Sequence, residues 1–162
     1  MPDLSVSPPP FDQDRRGRGV RLGVDVGQVR IGVAKSDPDG VLATPVATIK
    51  RDLREQEDIP ADMVELARLV GEHGSVEVVL GLPVNLAGQE GPAAAQARAY
   101  AQRLAEVIAP VPVVLADERM STVVASRRLS DRGVRGKRQR AVIDQAAAVE
   151  ILQGWLDAQR GR

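Results

Sequence analysis

Apolar and polar positions alternate from Val20 onward: Val20, Leu22, Val24 and Val26 fall on one side, Arg21, Gly23, Asp25 and Gly27 on the other. A period of two is the mark of a β-strand with one face in a core. Arg30 to Ser36 is a second run rich in Val and Ile, separated from the first by Gly27-Gln28-Val29, so the two predict a hairpin. Asp37-Pro38-Asp39-Gly40 supplies a further turn, and Val41 to Thr48 a third strand. The period then becomes helical. Met63, Val64, Leu66, Ala67 and Val70 recur between Pro60 and Gly74, a start and a stop for one amphipathic helix. Val76 to Leu80 reads as a short apolar strand followed by a loop from Gly81 to Gly91. An Ala-rich helix runs from Pro92 to about Ile108, and Val111 to Ala116 is a last strand ending in Asp117-Glu118-Arg119. Ser121 or Thr122 caps a helix through Leu129, and a final helix spans about Arg138 to Ala158.

Three consecutive strands followed by helix, strand, helix, strand and closing helices predict an α/β fold. It consists of a mixed five-stranded sheet, a three-strand antiparallel meander plus parallel strands, flanked by helices. Residues 1–18 carry Pro8-Pro9-Pro10 and Arg15, Arg16 and Arg18 with few apolar side chains, and read as a disordered tail. Residues 19–160 read as a single domain, in keeping with the 162-residue length.

Composition narrows the chemistry. With one Trp, one Tyr and one Phe the core must be aliphatic, and a nucleic acid could scarcely be held by base stacking, which leaves its phosphates. The lack of Cys removes disulfides, thiolate catalysis and cysteine-type zinc sites, and suits a reducing compartment. His73, the single histidine, stands beside Gly74 at a predicted helix end, a poor place for the base of a Ser-His-Asp triad. No basic start leads into a long apolar run, and no stretch approaches a membrane span, so a cytoplasmic protein without membrane contact is expected. The 22 basic and 22 acidic side chains cancel, so only their distribution points to a polyanion.

Three acidic positions stand out. Asp25 lies inside the first strand with Gly23 and Gly27 on the same side, leaving a hollow around its carboxylate, although an Asp before Gly also forms turns. Asp117 and Glu118 end the last strand, and as neighbours they point to opposite faces, so at most one joins Asp25. Asp144 shares a helical stripe with Ala141, Ala147, Ala148, Ile151 and Trp155, where an uncompensated carboxylate would cost several kcal/mol. A salt bridge to Arg30 or Arg119 would compensate it. So would a metal ion shared with Asp25. An all-oxygen set calls for a hard cation, Mg²⁺ with Mn²⁺ as a substitute, and two ions ~4 Å apart would serve hydrolysis at phosphorus. Between Arg127 and Arg140, the cations Arg127, Arg128, Arg132, Arg135, Lys137, Arg138 and Arg140 face the single acid Asp131, directly before the helix of Asp144. That run reads as a clamp on a phosphate backbone.

Val24-Asp25-Val26-Gly27, Arg30-Ile31-Gly32-Val33-Ala34, Gly81-Leu82-Pro83 with Asn85 and Gly88, Asp117-Glu118-Arg119, and Asp144-Gln145-Ala146-Ala147 with Ile151-Leu152 together closely resemble the YqgF/RuvX family, over about residues 20 to 157. The resemblance implies an RNase H-like fold, similarity to Holliday junction resolvases, and processing of the 5′ end of pre-16S ribosomal RNA. It implies that Asp25, Glu118 and Asp144 are the catalytic, metal-holding acids, and it places the loop with Asn85 near the substrate. Expected nucleic-acid contacts are Arg30, Lys35, Asn85, Arg119, Arg127, Arg128, Arg135, Lys137 and Arg138. The expected function is that of a metal-dependent endonuclease, with a structured RNA, such as the ribosomal small-subunit precursor, as partner. The alternative is resolution of branched DNA, which needs a two-fold homodimer where RNA trimming needs only a monomer. A non-catalytic RNA-binding factor would not need the costly Asp144. Actin-like phosphotransfer would need two such domains, for which the chain is too short.

Overall fold

The computed structural model describes residues 18–118 and 137–161. Their elements are β1 (Arg21–Val26), β2 (Arg30–Ser36), β3 (Ala43–Lys50), α1 (Ala61–His73), β4 (Glu77–Leu82), α2 (Pro92–Ile108), β5 (Val113–Asp117) and α3 (Lys137–Arg160). The five strands form one sheet in the order β3-β2-β1-β4-β5, antiparallel between β1, β2 and β3 and parallel where β4 and β5 join. This is the mixed five-stranded sheet expected from the sequence, a three-strand antiparallel meander plus parallel strands. The helix expected from Ser121 or Thr122 to Leu129 and the tail lie outside the described residues.

Strand alternation divides the core into two layers. Leu22, Val24, Ile31 and Val33 pack with Leu66 of α1 and Leu104 of α2 on one face. Ala34 and Val79 pack with Ala147, Ala148, Leu152 and Leu156 of α3 on the other. Small residues let α3 lie close to the sheet. A Cβ at Gly23 would stand 2.6 Å from Leu152 Cβ, and one at Gly32 only 2.0 Å from the Asp144 carbonyl oxygen.

The opposite layer holds a buried polar knot. Asp62, in the first turn of α1, is 2% exposed and accepts the Tyr100 hydroxyl at 2.7 Å and the Asp52 backbone N–H at 2.7 Å. Asp52 in turn accepts the Ala61 N–H at 3.0 Å and bonds from Arg54 and Gln56, and these hydrogen bonds, Arg54 foremost, hold its carboxyl far below the usual range. The segment between β3 and α1 is thereby tied to α2. Burial, and then the bond to Asp62, push the Tyr100 phenol well above its ordinary value.

Tyr100→Phe is expected to destabilise the fold by about 1 to 3 kcal/mol, since Asp62 loses a buried donor. The sign of the pH effect follows from the upward shift. Below the ordinary tyrosine value, folded and unfolded chains both keep the proton; above it only the unfolded chain releases it, so stability falls as pH rises past about 10. Urea melts at about pH 9 and about pH 11 should show a loss for the parent chain that is smaller in Tyr100→Phe.

Candidate active site

Asp25 follows Val24 on β1 and so points away from the α1 and α2 layer, toward α3. It is 1% exposed. Its antiparallel partner on β2 is Gly32, and because Val24 pairs with Leu80, the next residue along β4 is Gly81. A glycine therefore stands on either side of this carboxylate. Over Gly32 lies the backbone of Asp144, and over Gly81 lies the side chain of Glu118, whose Oε1 would be 2.8 Å from an added Cβ. The two glycines are where the sheet makes room for the other two acids.

Glu118 and Asp144 are each 6% exposed, whereas Asp117, paired with Leu82 at the sheet edge, is exposed. Of the two neighbours, Glu118 is the one that turns inward. Arg30, at the start of β2, donates through Nε to Asp144 Oδ2 at 2.7 Å, so the salt bridge weighed as compensation for Asp144 is present. Glu118 and Asp144 line one cleft of about 520 Å³, together with Arg30, Arg51 and Arg140. Carboxylates and guanidinium groups lining one cleft suit a phosphodiester, which needs its negative charge neutralised and its reacting atoms oriented.

The donors present are carboxylate oxygens, the chemistry a hard divalent cation requires, and Glu118 and Asp144 bring theirs to the cleft. Among the described residues no three His, Cys, Asp or Glu side chains converge closely enough to cage a metal ion by themselves. A bound Mg²⁺ commonly completes its shell with water and substrate phosphate oxygens, so an incomplete protein cage fits that ion.

The other expected contacts divide. Lys35 stands on β2 opposite Leu22, five residues beyond Arg30, and alternation turns it to the α1 and α2 face; it does not line the cleft. Asn85 closes its own loop: Oδ1 accepts the Gln89 N–H at 2.8 Å and Nδ2 donates to Gln89 Oε1 at 3.1 Å. Pro83, not Asn85, brings that loop to the cleft. Arg119, Arg127, Arg128 and Arg135 lie outside the described residues; Lys137 and Arg138 open α3, and their side chains are outside the description too. Arg51, Gln28 and Gln96 line the cleft without having been expected there. No described helix is long and apolar enough to cross a membrane.

Comparison with known proteins agrees with the sequence resemblance. A protein of Mycolicibacterium paratuberculosis named "Putative pre-16S rRNA nuclease" is 58% identical over 160 residues, 99% of this chain and 90% of its own length. One of Mycobacteroides abscessus with the same name is 53% identical over 161 residues, 99% of this chain and 95% of its own. Among solved structures, Thermus thermophilus RuvC in complex with Holliday junction substrate covers 89% of this chain and 97% of its own, with a TM-score of 0.49 and 15% identity. The family described as "RuvX: Holliday junction resolvase" matches residues 19–158 of the 162. The chain belongs to the RuvX family.

Proposed function

We propose that this chain is an endonuclease that hydrolyses a phosphodiester bond at the 5′ end of the 16S ribosomal RNA precursor, using a divalent cation held by Asp25, Glu118 and Asp144. The observation that carries this reading is the convergence of buried Glu118 and Asp144 on one arginine-lined cleft, with Asp25 on the same face of the sheet between Gly32 and Gly81. The names of relatives that match nearly the whole chain support the substrate.

Mg²⁺, or Mn²⁺ in its place, supplies Lewis-acid activation of water and of the phosphoryl group when bound. Asp25, buried in the sheet, would offer a carboxylate whose position the strands fix. Arg30 would orient Asp144 through its 2.7 Å bond, so that the helix acid keeps one rotamer as substrate enters. Arg140 would face the non-bridging phosphate oxygens, and the basic segment from Arg127 to Arg138 would hold more distant phosphates. The single histidine, on the last turn of α1, has no part in this scheme.

The family description favours a second reading, cleavage of four-way DNA junctions. Labelled precursor RNA and a labelled junction, offered side by side with Mg²⁺, separate the two. Faster cleavage of the RNA is expected; junction cleavage by paired symmetric cuts, together with a dimer in solution, would shift the assignment to branched DNA. For the basic segment, replacing Arg135, Lys137 and Arg138 together by Ala should flatten the logarithmic salt dependence of RNA binding by about two to three units. An unchanged slope in anisotropy titrations would leave these cations as a solvated surface.

A further inference from the structure

A second hollow, of about 620 Å³, adjoins the cleft and shares Gln28, Arg51 and Gln96 with it. Its far wall carries Arg54 and Arg103. Arg51 is the residue at the junction. Its guanidinium lies over the Tyr100 ring, 5.4 Å from the centroid, and Nη1 donates to the Gly27 carbonyl at a long 3.3 Å. Nε is buried without an acceptor, and no carboxylate pairs with this guanidinium among the described residues. The two acids of the hollow are already engaged: Asp62 by Tyr100 and the Asp52 N–H, Asp52 by Arg54, Gln56 and the Ala61 N–H. Arg103 spends one nitrogen on the Asp58 carbonyl at 2.9 Å.

A planar cation seated on an aromatic face, with no carboxylate partner among the described residues, is suited to a phosphate that arrives from outside. We propose that Arg51 and the hollow beyond it, with Arg103 on its far wall, form a second phosphate subsite. It takes the sugar-phosphate backbone of the substrate strand to one side of the bond that is cut. The inference rests on the nuclease reading and extends it: the strand enters over the β1–β2 turn and the segment after β3, which line both the cleft and the hollow. The carboxylates that line the hollow do not repel the strand strongly, because each is neutralised or enclosed by internal donors.

The test uses the full chain in EDTA, so that binding is read without cleavage, with a labelled precursor RNA as probe. Arg51→Gln should lower the slope of log affinity against log salt by about 0.7 to 0.9, the loss of one phosphate contact, and Arg51→Lys should restore most of it. Trimming the RNA progressively from either end should reach a length at which the parent and Arg51→Gln bind alike. Arg103→Gln, on the partly exposed face of α2, reads the same hollow should Arg51→Gln fail to fold, and should also flatten the slope. Equal slopes for the parent and a folded Arg51→Gln, or for the parent and Arg103→Gln where the first variant does not fold, would overturn the subsite. That result in a chain that still cleaves RNA with Mg²⁺ removes the subsite alone. An Arg51-dependent slope in a chain that never cleaves supports the subsite and removes the nuclease reading alone.

Discussion

Asp25→Asn is expected to lower cleavage by at least about 10³-fold while leaving the chain folded. The amide keeps the size and shape of a side chain that is 1% exposed, so the packing of β1 against α3 is preserved. What disappears is the negative charge that would hold the cation, and loss of about 4 kcal/mol of transition-state stabilisation corresponds to that factor. Two measurements on one preparation decide it: a thermal melt and a single-turnover cleavage rate with Mg²⁺. A melt like the parent's with the rate gone fits the proposal. A folded variant that cuts at the parental rate removes Asp25 from the site, and the cation with it.

The second large effect is expected from a residue that contacts no substrate. A methyl group at Gly32 would be placed 2.0 Å from the Asp144 carbonyl oxygen and 2.5 Å from its carbonyl carbon, both backbone atoms of α3 that no rotamer change can move aside. Gly32→Ala must therefore push the helix off the sheet, at a cost on the order of 3 kcal/mol. Asp144 travels with the helix. A shift of about 1 Å in one catalytic group can cost about 10²-fold in rate, so cleavage should fall further than the lost stability explains when both are measured well below the melting temperature. Parental stability with parental cleavage in Gly32→Ala would mean that α3 does not sit against β2 as described.

The two mutations draw on what the sequence made legible. Alternation around Asp25 and the alanine stripe of Asp144 are local patterns, and in the structure Asp25 pairs with Gly32, over which the Asp144 backbone lies. Strand limits were less legible because side chains compete for the ladder. β3 begins at Ala43, two residues later than the apolar run, since Asp37 Oδ1 takes the N–H groups of Val41 and Leu42 at 2.8 and 2.7 Å. β5 begins at Val113 and not Val111, next to Pro110 and Pro112, which have no N–H to give. The choice between Asp117 and Glu118 could not be made from strand periodicity alone; it depends on how the chain turns out of β5, where Glu118 folds onto Gly81. Alternation also places Lys35: Arg30, Gly32 and Ala34 share one face of β2, and an odd step puts Lys35 on the other. Arg51 carries no such signal. It reaches the cleft because its N–H bonds the Val29 carbonyl at 2.9 Å and its side chain rests on Tyr100, contacts across about 22 and 49 residues that only the folded chain brings together.

The central claim, hydrolysis of a nucleic acid by carboxylate-held divalent cations, is tested most directly by following a labelled 16S precursor RNA in the presence of the purified chain, first in EDTA and then after Mg²⁺ or Mn²⁺ is restored. The account predicts no cleavage in EDTA and endonucleolytic cutting near the mature 5′ end once either ion is added. Cutting at full rate in EDTA by the parent chain, absent from Asp25→Asn prepared in the same way, would contradict the role given to the metal; no cutting under any of these conditions would contradict the nuclease itself.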